Sequence, residues 1–440
     1  MLATVAVAGV TALSSAAANV GHDEPRLELG TVEERAPLVG ADGLPLQSAD
    51  ILDARPAEGE HAAAVTLPTA SDPAFVPSAS RCEDELVTSE ALNVQFDTGI
   101  GRMVGADYQR AFELDDERVL WVFQDAFFAD GLGDPTLAHN AAAIQDGMCF
   151  DAFVGGTEQQ PESWIAADDT QAFRHWYWPL DGYERDADTF VLYLAEMDER
   201  GASYLDNATP VATWTAQIDL TTMKPGELER APNPNDELYG FEITTDDTHL
   251  YLYGQCHRQF GFSYLGHDPC AAEVYIARQP LDDPTRPLEY WNGSTWSRNS
   301  RTATNIAPLQ GPDGEQRTAN PIQIERDGDR WIAVTKADDW WGDTVYFDTA
   351  PSPEGPWTTT AALPVSAPGD PDEFAAYFVS FIPSDEVDTA LAISSNRWDG
   401  TFSDTYHPRF TTVADRVWDE REAVNIGGDV WLPTGEPISQ

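Results

Sequence analysis

Five segments of this chain repeat one pattern: an extended run, a short acidic turn, then a second apolar run. They read LDDERVLWVF, ERDADTFVLYL, TTDDTHLYLYG, ERDGDRWIAV and PSDEVDTALAI. The turns fall at Asp115-Asp116, Asp186-Asp188, Asp246-Asp247, Asp327-Gly328-Asp329 and Asp385-Asp388. Alternation of apolar and polar positions, rich in β-branched and aromatic residues, predicts strands on both sides of each turn. The turns recur at roughly 60–80 residues, longer than a compact propeller blade, so each unit carries long loops. The units span about 95–160, 172–225, 238–298, 318–366 and 374–425. Each reads as a three- or four-stranded meander that cannot bury both of its faces alone. Five such sheets packed radially bury all of them, so the expected fold is all-β, a five-bladed β-propeller. The alternative arrangement is a pair of stacked β-sandwiches.

Charge removes whole classes of function. The chain carries 75 acidic and 25 basic residues, a formal net charge of −50, and its lysines are Lys224 and Lys336. Nucleic acid and anionic membranes are bound by clustered cations, so neither is an expected partner. Residues 1–18 are apolar and end in small residues around Ala16-Ala18, the pattern of a signal peptide on a secreted, extracellular protein. Residues 19–80 are rich in Ala, Pro, Glu and Asp and read as a disordered or linker tail, which leaves 81–440 for the propeller. The four cysteines are Cys82, Cys149, Cys256 and Cys270. In an exported chain an even number suggests two disulfides: Cys256 with Cys270 across one loop, and Cys82 with Cys149. The spacing does not resemble a zinc site.

In a propeller the first strand of each blade lines the axis, and residues early on those strands converge at one end of the channel. Counting back from the acidic turns gives Asp107, Asp181 and Glu242 on the first three units, then Asn320 and Tyr377 on the last two. Asp181 and Glu242 sit among aromatic neighbours rather than in turns. A buried acid between aromatics is costly unless it has a partner or a task. Paired carboxylates of this kind suit glycoside hydrolysis, where one protonated acid serves the leaving oxygen and one ionised acid serves water or the sugar. Glu242 is the expected general acid, since burial should raise its pKa, Asp107 the base or nucleophile, and Asp181 the modulator. Asp125, in WVFQDAFF, is a fourth candidate beside Asp107.

Further polar and aromatic residues cluster near the expected blade mouths, where they could bind sugar hydroxyls or stack on sugar rings. They are His139, Asn140, Trp178, Gln255, His257, Arg258, Asn320, Trp340, Asn396, His407 and Arg409. No P-loop, GxGxxG or GxSxG occurs.

The blade pattern, together with YWNGSTW at Tyr290–Trp296, SPEGPW at Ser352–Trp357 and YHPRF at Tyr406–Phe410, resembles the five-bladed propeller glycoside hydrolases. It is most similar to a bacterial propeller family, of unknown-function origin, that includes endo-D-arabinanases. That family shows a G-x-D motif on its first inner strand and an aromatic-Gly-Asp-Thr motif after the next strand. Here these positions read Gly105-Ala106-Asp107 and Phe123-Gln124-Asp125-Ala126, keeping both acids and losing the flanking Gly and Thr. The resemblance implies hydrolysis of a furanoside, arabinan-like polysaccharide or cell-wall glycan by a monomeric enzyme. No cofactor is required for that reaction, although channel acids and carbonyls could hold a structural Ca²⁺. The competing reading is a propeller that binds carbohydrate or protein without catalysis.

Overall fold

The computed structural model of the protein describes residues 74–76, 86–129, 135–157, 160–167, 175–199, 208–232, 234, 237–256, 273–283, 286–306, 322–336, 344–365, 375–396 and 406–418. It is a five-bladed β-propeller. Each of the five acidic turns joins the inner strand of a blade to its second strand. The inner strands are Arg110–Glu113, His175–Asp186, Glu237–Thr245, Ile322–Asp327 and Ala375–Phe381 for blades I to V. Their partners are Val119–Phe123, Thr189–Glu199, His249–Cys256, Arg330–Lys336 and Thr389–Asn396, all antiparallel. Outer strands complete each meander, except that blade V shows three strands in all.

Blade I departs from the simple pattern. Its second strand ends at Phe123, the chain bends at Gln124-Asp125, and Ala126–Phe128 joins a separate three-stranded sheet with Met103–Ala106 and Thr136–Ala138. Ala74–Val76, which the sequence places in the tail, is a fifth strand at the outer edge of blade I, where Phe75 pairs with Phe153. A short Ala-Phe-Val run has the β propensity to add to an open edge.

One helix, α1 (Ser89–Thr98), seals the seam between the last blade and the first. Thr88 caps it by accepting the N–H of Ala91. Leu92 and Phe96 share a core with Trp121, Phe123 and Phe150 of blade I and with Ile382, Ala390 and Phe410 of blade V. Each such side chain contributes about 1.5–3 kcal/mol by leaving water. Polar contacts fix the same seam. Asn93 donates to the carbonyl of Phe410 at 2.8 Å and accepts its N–H at 3.0 Å. Asp97 meets both His407 at 3.2 Å and Arg409 at 2.7 Å. The Asp385 turn accepts the N–H of Val87 at 2.7 Å. No helix among the described residues is long and apolar enough to cross a membrane.

Candidate functional site

The residues singled out by the sequence divide between two places. Asp181 and Glu242 lie deep in the ring of inner strands, with 2 % and 1 % of their surface exposed. Irregularities in strand register aim them there. In blade III, Tyr239 pairs with Gly254 and Glu242 with Tyr253, so Gly240 and Phe241 are extra residues on the inner strand. Gly240 has φ +93°, and a Cβ there would stand 2.1 Å from the Tyr193 ring of blade II. Only glycine admits that approach. A similar irregularity between Pro179 and Gly182 displaces Leu180 and Asp181 in blade II.

Both carboxylates then bind the backbone of the following blade. Asp181 accepts the N–H of Ile243 in blade III at 2.6 Å and that of Gly182 at 2.7 Å. Glu242 accepts the N–H of Ile324 in blade IV at 2.6 Å. Gln323 repeats the move, its side-chain oxygen accepting the N–H of Phe381 in blade V. At the V–I junction, Ser380 accepts from Gln109 at 3.1 Å. These polar residues occupy corresponding positions on successive inner strands and tie each blade to the next.

Arg110 supplies the counter-charge. Its guanidinium lies 2.6 Å from Glu242 and 3.5 Å from Asp181, donates to the carbonyl of Phe241 at 3.0 Å, and sits over the rings of Phe241 and Phe378. Burial pushes Glu242 well above the ordinary glutamate value, the Asp181 charge adds to that, and Arg110 opposes it. Burial also raises Asp181, again against the pull of Arg110. The sequence placed both acids on inner strands among aromatic neighbours and expected burial to raise Glu242; burial raises Asp181 as well. What the sequence could not show is their shared partner, Arg110, and the backbone N–H groups of the following blades.

Asp107 and Asp125 form the second place, at the end where inner strands begin and second strands finish. Their backbones pair: Asp107 N–H donates to the Asp125 carbonyl at 3.0 Å, and Gln124 N–H to the Asp107 carbonyl at 3.1 Å. The Asp107 carboxylate also accepts the N–H of Asp125 at 3.1 Å. The next residue, Tyr108, takes φ +46°, a strained conformation for a bulky side chain. It is held by its N–H to Ser394 at 2.8 Å and by stacking on Phe378 at 4.6 Å.

The Asp125 carboxylate reaches across to blade II. Its Oδ1 accepts the indole N–H of Trp178 at 3.0 Å, and Nδ1 of His139 lies 3.1 Å from the same atom. The His139 ring stacks on Trp176 at 4.6 Å, and Trp176 meets Trp178 edge-on at 5.7 Å. The Asp125 and His139 side chains keep 13 % and 10 % of their surface open to solvent, unlike the axial acids. Two carboxylates beside a partly open imidazole can exchange protons with a bound group, while Trp176 and Trp178 are buried and brace them from behind.

The remaining expectations fare differently. Asn140 is wholly buried and engaged with backbone: it donates to the carbonyls of Ile165 and Tyr177 at 2.9 and 2.8 Å and accepts the N–H of Ile165 at 2.7 Å. It clamps blade I to blade II and does not face a ligand. His407 and Arg409 are tied to Asp97 of α1 in the seam. Asn396 ends the second strand of blade V, opposite Ala375. His257, Arg258, Asn320 and Trp340 lie outside the described residues, as do Cys82 and Cys270. Cys149 is disulfide-bonded, and Cys256 ends the second strand of blade III. Among the described residues no group of three or more His, Cys, Asp or Glu is placed to hold a metal ion.

Residues 93–417 match the model of a family described as "Domain of unknown function (DUF5005)". No curated protein matches the sequence. Among solved structures, a "putative hydrolase" from Bacteroides ovatus aligns over 73 % of this chain and 88 % of its own, at 17 % identity and a TM-score of 0.55. A GH43_1 enzyme from Xanthomonas citri in complex with xylotriose aligns over 74 % and 93 %, at 14 % identity and 0.42. An exo-beta-1,3-galactanase from Phanerochaete chrysosporium aligns over 82 % and 70 %, at 11 % identity and 0.43. The likeness to the Bacteroides ovatus structure is one of fold.

Proposed function

This chain belongs to the DUF5005 family, and from that premise we propose that it is a secreted glycoside hydrolase whose chemistry lies at Asp107 and Asp125. The observation that carries this reading is the Asp125 carboxylate, partly open to solvent and fixed by His139 and Trp178 beside Asp107. Hydrolysis needs one carboxyl group to serve the leaving oxygen and one to serve water or the anomeric carbon. Asp107 and Asp125 are adjacent through their backbones and belong to two segments of one blade. The strained Tyr108 between Asp107 and the inner strand supports the assignment, since such strain gathers at working sites. Asp181 and Glu242, proposed from sequence as modulator and acid, are better explained as ties between blades held by Arg110.

The substrate we infer is a neutral polysaccharide, and a furanoside, arabinan-like polymer in particular. A net charge of −50 repels uronate-rich and phosphate-rich polymers. Export follows from residues 1–18, and no cofactor enters the reaction. The test is to incubate purified protein with arabinans, arabinogalactan, xylans and fructans and to follow new reducing ends and the anomer first formed. Release of oligosaccharides from one neutral polymer supports the reading. Binding without any bond cleavage would replace it with a carbohydrate-binding propeller.

A further inference from the structure

We propose that His139 is a positioning residue that, with Trp178, holds the Asp125 carboxylate in the orientation the reaction requires; this rests on the assignment of chemistry to Asp107 and Asp125. Both nitrogens address one atom, Oδ1 of Asp125, at 3.1 and 3.0 Å. A carboxylate oxygen accepts, so this contact is a hydrogen bond in the His139 tautomer that carries its proton on Nδ1. The two donors come from different parts of the chain: His139 lies just before Ala141–Asp146 of blade I, and Trp178 on the inner strand of blade II. Two converging bonds at one oxygen restrain rotation of the carboxylate, which one bond alone would not do. His139 is itself braced. Its ring lies against Trp176 with only 21° between the planes, and its N–H donates to Ser163 Oγ at 3.0 Å. An exposed loop histidine would carry neither restraint.

A histidine that merely packs beside an acid would affect stability and leave turnover alone. A positioning histidine acts on kcat, because a misplaced carboxylate still permits binding. His139→Phe should lower kcat on the order of 10²-fold, the scale of a small misplacement of a reacting group. KM should stay within about 3-fold, since ground-state contacts survive. His139→Asn, whose amide N–H can occupy the place of Nδ1, should recover most of the loss. Trp178→Phe should resemble His139→Phe, and the double variant should lose less than the product of the two, because both act on one oxygen. The experiment measures kcat and KM for these four proteins on the neutral glycan that the wild type cleaves, with melting temperatures alongside. The inference is overturned by full kcat in His139→Phe, by no recovery in His139→Asn, or by losses that multiply. A wild type that cleaves no glycan overturns the functional reading itself, and this inference with it.

Discussion

Arg110 lies 2.6 Å from Glu242, and this buried contact joins the inner strand of blade I to that of blade III. Asp181 of blade II stands 3.5 Å from the same guanidinium, and Phe378 of blade V lies beneath it. One cation thus connects four blades at the centre of the ring. The acids that most resemble catalytic groups in sequence are occupied with holding the ring together.

Glu242→Leu should therefore unfold the protein more readily. It removes the nearer of the two carboxylates that face Arg110 and the acceptor of the Ile324 N–H. Breaking a buried pair from one side costs about 3–5 kcal/mol. Urea unfolding should show a lower midpoint with an unchanged slope. An unchanged midpoint would mean that the contact is not a tie.

Stability should vary with pH in two opposed ways. Burial raises Glu242 and Asp181 above their ordinary values of 4.5 and 3.8. The folded state then holds protons that the unfolded chain releases. The stability linked to these groups is complete below the ordinary values and is lost as pH rises through the raised ones. Asp246 behaves oppositely. Partial burial pushes it up, but hydrogen bonds from Tyr251, Thr248 and His249 outweigh that and bring it to about 2. Its contribution is present above 3.8 and fades as pH falls toward 2. Unfolding free energy should peak in mild acid. Glu242→Gln should flatten the alkaline limb and Asp246→Asn the acid limb; identical limbs in both variants would refute the assignment.

Asn140→Ala should destabilise the junction of blades I and II without a direct effect on sugar binding. It strands the Ile165 N–H and the Ile165 and Tyr177 carbonyls, at about 1–3 kcal/mol for a buried group left unsatisfied. Calorimetry of the variant, with glycan affinity measured below its melting temperature, separates the two roles. A loss of affinity at full stability would return Asn140 to the binding surface.

The blades were legible because each acidic turn is flanked by alternating apolar strands, a pattern that local chemistry alone produces. Asp181 and Glu242 were legible as buried acids for the same reason: aromatic neighbours on a strand imply burial. Their partner was not, because Arg110 sits 132 residues from Glu242 and meets it only when the ring closes. Asn140 and His139 are adjacent and both polar, yet one turns to the backbone of blade II and the other to Asp125. Nothing in their spacing distinguishes them; the bend at Gln124-Asp125, which takes Asp125 out of the second strand, decides it. Asp107 and Asp125 were found together by motif, and the structure adds the His139 and Trp178 contacts that the motif lacks.

On the function proposed above, bond cleavage depends on Asp107 and Asp125, and the integrity of the ring on Glu242. The most direct measurement compares hydrolysis of one neutral polysaccharide by the wild type and by Asp125→Asn, with melting temperatures recorded on the same samples. Asp125→Asn should lower the rate by at least about 10²-fold, the scale of losing a positioned acid or base, at an almost unchanged melting temperature. Full activity in Asp125→Asn, or loss of activity that follows loss of folding, would contradict it.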